Sequence, residues 1–160
     1  MTNLQKEVLR LSYKHNLSHI GSCLNAVDYI DYIYTIKEKD DIFILSNGHA
    51  GLALYVVLEK NGIAKAEDLI KKHGTHPNRD INNGIYCSTG SLGQGLTVAV
   101  GIALANSGRN VYVTISDGEC TEGSIWESLK IASNCDILNR TSFMPSSILF
   151  ISFVIFSVIF

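Results

Sequence analysis

The chain has 160 residues, 46% of them apolar and 18% charged, with a net charge of −2. That length supports one domain with its own core, and the balance excludes a disordered or collagen-like chain. A slightly acidic total also argues against a nucleic-acid partner held by phosphate neutralisation. All 13 basic and 15 acidic residues lie in 1–140, so residues 141–160 are read apart from the rest.

The amphipathic, charged start MTNLQKEVLRLSYK lacks the apolar core of a signal peptide, and Leu4, Val8, Leu9 and Leu11 recur at helical spacing. A first helix is expected over 2–15. A small-residue loop, His19-Ile20-Gly21-Ser22, follows, and Asn25 stands where an N-cap belongs before the helical segment AVDYIDYIYTI. DDIFILS, residues 40–46, reads as a short buried strand or extended run ending in Ser46. The next helix, within NGHAGLALYVVLEKNG, is expected to stop at Asn61-Gly62, and another short helix is expected over 65–72.

Between Lys72 and Ser91 the chain is rich in Gly, Asn and Pro, and an irregular loop of that length in a compact domain is usually functional. Gly93 to Ala105 suits a closely packed helix. VYVTIS, 111–116, is the clearest strand and runs straight into Asp117-Gly118-Glu119; a helix is expected from about Ser124 to Asn134. Strand, acidic turn and helix in this order suggest an α/β fold, with a parallel sheet and helices on both faces. The four cysteines, Cys23, Cys87, Cys120 and Cys135, form no C-x-x-C pair, which excludes a zinc ribbon. Reduced thiols predict a cytoplasmic location.

Three loops carry candidate chemistry. Gly90-Ser91-Leu92-Gly93-Gln94-Gly95 reads G-x-x-G-x-G, which is not the dinucleotide fingerprint, and Leu96 stands where a P-loop needs lysine. Glycines before a helix still let backbone approach an anion, although such a turn is often purely structural. Asp117 lies past the carboxyl end of a strand, where ligands of open α/β sheets bind; it is equally a turn-former or a cap. Beside an anion it could hold Mg²⁺ or Ca²⁺. Glu122 and Glu127, five apart, do not share a helix face and read as solvated carboxylates. His19, His49 and His76 each sit among small residues. Each alone reads as a packed or surface histidine, but together they suggest a pocket that handles protons and hydroxyls. His15 and His73 carry no such signal.

In sequence, H-x-G-S, LSNGHA-x-LALY, HP, STGSLGQGL and SDGE-x-x-EGS-x-WE resemble the N-terminal, cofactor-diphosphate part of transketolases, especially forms in which it is a separate polypeptide. The resemblance covers residues 1–139. It implies the thiamine diphosphate-binding fold, incomplete at the C-terminus, with thiamine diphosphate held through Mg²⁺ or Ca²⁺. The implied reaction moves a two-carbon ketol unit between sugar phosphates. By the same resemblance His19 handles a proton at a substrate hydroxyl, His49 meets the diphosphate and sugar, and His76 holds the donor's terminal hydroxyl. Gly90, Ser91 and Leu92 would contact the cofactor, Asp117 would ligate the metal, and Gly118 would allow close diphosphate approach. Glu122 and Glu127 match acidic positions at the family's subunit contact beside the cofactor. A partner C-terminal transketolase section and homo-oligomerisation are implied as well. The LSNGHA motif favours this family over deoxyxylulose-phosphate synthases, which carry a D-V-G-H-Q type motif there.

The pattern breaks after Asn139. The family's metal motif needs an Asn about thirty residues after the Asp, and that count reaches Ser147. Residues 140–160 fall outside the family pattern, and a break at one point favours abnormal coding over a membrane anchor or a buried strand pair. The uncharged run from Ile148 is short for a spanning helix. Abnormal coding would leave the sheet edge beside VYVTIS open. The alternative function is a non-catalytic relic or membrane-tethered binding protein that keeps the fold. A further expectation is that diphosphate beside Asp117 and Glu119 is repelled unless a cation bridges them.

Overall fold

The computed structural model describes residues 1–106, 108–135, 138–144 and 153–158, the last two segments by their backbone. The chain forms two compact units, Met1–Ile36 with Gly48–Gly90, and Lys37–Asn47 with Ser91–Phe160.

The first unit is helical. Helix α1, Asn3–His15, starts at a capping box in which Thr2 accepts from the Gln5 amide and the Gln5 side chain accepts from the Thr2 amide. It ends where Asn16 turns left-handed (φ 51°), with Lys14 in its last turn, where a cation suits the helix dipole. Helix α2, Ile20–Ile36, buries Cys23, Ala26, Val27, Ile30 and Ile33. It begins earlier than the sequence suggests, because His19 takes the left-handed break (φ 60°) and its carbonyl accepts the Cys23 amide. Asn25 therefore lies inside the helix and is not its N-cap.

A 3-10 turn, Gly48–Ala50, leads into helix α3, Gly51–Lys60, in which every residue from Gly51 to Leu58 is buried. A helix apolar all round belongs in a core, and α1, α2 and α4 (Ala66–His73) all pack against it. Each fully buried Leu or Val contributes about 1.5–3 kcal/mol through removal from water.

The second unit carries the sheet. Strand β1, Ile42–Leu45, lies parallel to β2, Val111–Ile115, with Ile42 opposite Val111 and Leu45 opposite Thr114. Both strands are wholly buried. Buried Asp41 aligns their starts, accepting from the amides of Glu38 (2.8 Å) and Asn110 (2.9 Å). Helix α5, Gln94–Ala105, buries Leu96, Ala99, Val100 and Ala103, one stripe at helical spacing, and packs on both strands. Helix α6, Gly123–Asn134, packs on α5, where the Thr97 and Ser128 hydroxyls meet at 2.9 Å.

The sheet continues with antiparallel strands. Strand β4, Phe153–Val158, pairs with β2, and β3, Leu138–Met144, pairs with β4, giving the order β1-β2-β4-β3. The edge beside VYVTIS is thus covered, contrary to the open edge expected from the sequence. A β-branched, aromatic run has high strand propensity whatever its origin. Ser147, the position counted for the second metal ligand, lies outside the described residues. The fold is α/β, its sheet parallel in β1–β2 and antiparallel beyond. Among the described residues no helix is long and apolar enough to cross a membrane.

Candidate functional site

In the first unit the three loop histidines converge. The His19 ring lies 5.3 Å from that of His49 and 6.3 Å from that of His76, centroid to centroid. Three different devices bring them there. His19 sits in the left-handed break before α2, a conformation that histidine visits more readily than most residues. His49 is in the 3-10 turn, and the buried Cys23 thiol of α2 donates to its carbonyl (3.8 Å). His76 belongs to the irregular loop, with Gly90 against its ring: a Cβ on Gly90 would lie 3.4 Å from His76 Cδ2. His19 and His76 are exposed and His49 is half-buried, so all can reach a solute.

The loop that carries His76 is ordered by its own hydrogen bonds. Asp80 and Ile85 exchange both backbone bonds, and the Thr89 amide donates to Pro77 O at 3.0 Å. The Asp80 carboxylate accepts from Lys72 Nζ (2.6 Å) and Asn83 Nδ2 (2.8 Å) and meets His73 Nε2 at 3.2 Å. These partners, Lys72 first and then Asn83, hold the Asp80 carboxyl down at about 2. A carboxyl depressed on folding stabilises fully above its unfolded value of about 4, and the contribution is lost as pH falls towards 2. The Asp80→Asn variant should therefore melt below the parent at pH 5, with the gap closing towards pH 2. A gap that stays constant in thermal melts across that range would contradict this role.

In the second unit the strand ends and the glycine turn form a separate polar construction. Asp117 follows β2, exposed, and its carboxylate takes no hydrogen bond among the described residues. Among the described residues, a Cβ on Gly118 would meet only Ser116 Oγ, at 4.0 Å. Among the described residues the Ser116 hydroxyl is itself buried without a partner, as is Asn47 Nδ2 just past β1. Bare backbone over an unpaired donor, beside a free carboxylate, suits a diphosphate held by a cation. Among the described residues no three acidic, histidine or cysteine side chains cluster as a metal cage. A single carboxylate fits Mg²⁺, which keeps water ligands and binds through one or two carboxylates plus phosphate oxygens.

Glu119 behaves otherwise than expected. It is fully buried, and its oxygens accept from Ser46 Oγ (2.5 Å), the Gly93 amide (2.9 Å) and the Ser116 amide (3.0 Å). Both of its oxygens are thus taken up by donors, unlike those of Asp117. Sequence reasoning missed this role. The one available signal was an acidic residue two places past Asp117. Ser91 and Leu92 are exposed ahead of Gly93, while Glu122 and Glu127 are exposed before and on α6.

The chain matches the family model described as transketolase, thiamine diphosphate binding domain, over residues 34–146. It belongs to this family. The match takes in His49, His76, the glycine turn and Asp117, begins after His19, and ends beyond Asn139. The chain is 34% identical to an apulose-4-phosphate transketolase subunit of Phocaeicola vulgatus, over 92% of this chain and 59% of that protein. It is also 34% identical to 6-deoxy-6-sulfo-D-fructose transketolase subunit SqwG of a Clostridium species, over 81% of this chain and 54% of that protein. With the transketolase of Mycoplasma genitalium it shares 38% identity over 58% of this chain and 17% of that one. This transketolase-family chain thus spans about half the length of the curated subunit-type relatives it matches.

Proposed function

We propose that this chain is the diphosphate-binding part of a transketolase that moves a two-carbon ketol unit from a ketose phosphate to an aldose phosphate. The observation that carries the reading is the free Asp117 carboxylate beside bare Gly118 and the unpaired Ser116 hydroxyl. Asp117 would hold Mg²⁺, or Ca²⁺ in its place, and Gly118 would let the diphosphate approach the backbone. His49, Gly90, Ser91 and Leu92 would contact the cofactor. Thiamine diphosphate, when bound, supplies the carbon nucleophile and electron sink of the reaction.

The protein's part is placement and proton handling. His19 would handle a proton at a substrate hydroxyl, a general acid–base role for which imidazole is suited. His49 would donate to the diphosphate or the sugar, and His76 would orient the donor's terminal hydroxyl. Their close spacing supports joint action on one small polyhydroxylated substrate. Glu122 and Glu127, exposed, would meet a second protomer.

Relatives named as separate transketolase subunits support a partner that carries a C-terminal transketolase section. The chain alone should then show no ketol transfer with thiamine diphosphate, Mg²⁺ and sugar phosphates. Activity should appear when a C-terminal section is added. Transfer by the chain alone, or none from the mixture, would overturn the proposal.

A further inference from the structure

The Gly93 turn and the acidic turn at Asp117 share one buried anchor. Oxygen Oε1 of Glu119 accepts from the Gly93 amide at 2.9 Å and from Ser46 Oγ at 2.5 Å. Oxygen Oε2 accepts from the Ser116 amide at 3.0 Å, one residue before Asp117. Gly93 is also held from its other side, since Ser124 Oγ donates to its carbonyl at 3.2 Å. Its left-handed backbone (φ 82°) leaves no room for a side chain, because a Cβ would strike Ser124 Oγ and Glu122 Cβ. Gly95 is wedged in the same way, its missing Cβ falling 2.5 Å from Ser46 Cα.

A buried carboxylate is costly unless donors surround it, so such a group is retained where its geometry matters. Here it joins two segments far apart in sequence. One carries Ser91 and Leu92 at its head, and the other carries Asp117. We propose that Glu119 is a positioning residue, a clasp that sets the glycine turn against the Asp117 turn so that they hold cofactor and cation as a unit. The inference rests on the thiamine diphosphate reading above for its binding consequence, but not for the clasp itself.

The chemistry of the clasp makes it testable by substitution. Glutamate offers acceptors on both oxygens, whereas glutamine offers one acceptor and one NH₂ donor. In Glu119→Gln the carbonyl best serves the side with two donors, Ser46 and Gly93. The NH₂ then faces the Ser116 amide, donor against donor, and that end of the clasp opens. Ser46→Ala removes a bond to Glu119 but leaves both backbone amides held.

Amide hydrogen exchange on the full, unliganded chain reads the clasp directly. Glu119→Gln should speed exchange at Ser116 by roughly tenfold or more, with less change at Gly93, while Ser46→Ala leaves both slow. Calorimetric titration with thiamine diphosphate and Mg²⁺ reads the consequence. Glu119→Gln should bind roughly tenfold more weakly and need more Mg²⁺, and Ser46→Ala should bind as the parent does even if it melts lower. Equal loss of affinity in both variants would mean that Glu119 acts only through general stability. Unchanged exchange at Ser116 in Glu119→Gln would overturn the clasp. Should Glu119→Gln fail to fold, Glu119→Asp replaces it, and the shorter side chain must weaken at least one of the two amide bonds. If the parent chain binds no cofactor, the functional reading fails, and the exchange measurement still decides the clasp.

Discussion

The Asp117→Ala variant should lose the metal-dependent share of thiamine diphosphate affinity, a drop of about 100-fold or more. Asp117 is exposed and its carboxylate takes no hydrogen bond among the described residues, so the substitution removes little from the folded chain. Exposed sites of this kind usually change stability by about 0.5 kcal/mol or less. Melting in the absence of ligand should therefore stay near that of the parent. The loss should instead appear in titrations with Mg²⁺, because the cation would have no carboxylate to hold it beside the diphosphate. Asp117→Asn keeps an oxygen ligand without the charge and should fall between the two. Equal affinity in all three proteins would remove Asp117 from the site.

A second large effect is expected at Gly48. A Cβ there would lie 2.5 Å from the Thr89 carbonyl carbon, 2.6 Å from its oxygen and 2.7 Å from the Gly90 nitrogen. These are backbone atoms, and no side-chain rotation relieves the contact. Gly48→Ala must push the Thr89–Gly90 segment away from the turn that carries His49, and Gly90 itself lies against His76. Overpacking of this kind costs about 1–3 kcal/mol. In a domain of this size that lowers the melting temperature by several degrees, about 2–4 °C per kcal/mol. Gly101→Ala is the matched control. Nothing lies within 4 Å of the added Cβ in the middle of α5, and alanine is the better helix former. It should hold or raise the melting temperature. A Gly48→Ala variant as stable as Gly101→Ala would show that the Thr89–Gly90 segment yields freely.

The elements that were legible in the sequence were those set by local rules. VYVTIS reads as a strand, and DDIFILS as a short buried strand or extended run, from their β-branched and apolar residues, and they are the parallel pair. Helix α5 was legible from its run of small and apolar residues. The start of α2 was not, since it depends on His19 adopting a left-handed backbone, which no pattern of apolar residues announces. The pairing of 153–158 with β2 was equally hidden. An apolar run shows that a strand is possible but not which edge it joins.

The candidate site divides in the same way. His19, His49, His76 and Asp117 were legible only as a set, since each alone reads as a packed or surface histidine, or as a turn-forming aspartate. The convergence of the histidines depends on the three-dimensional course of α2, the 3-10 turn and the 74–89 loop. Glu119 escaped notice because its value lies in three donors distant or hidden in sequence: Ser46, Gly93 and Ser116. A buried acceptor is visible only once its donors are in place.

Calorimetric titration of the unmodified chain with thiamine diphosphate, in Mg²⁺ and again in EDTA, shows whether the chain holds the cofactor through a cation. A saturable one-site isotherm is expected in Mg²⁺ and should vanish in EDTA. No binding in Mg²⁺, or the same binding with and without the cation, would contradict that expectation.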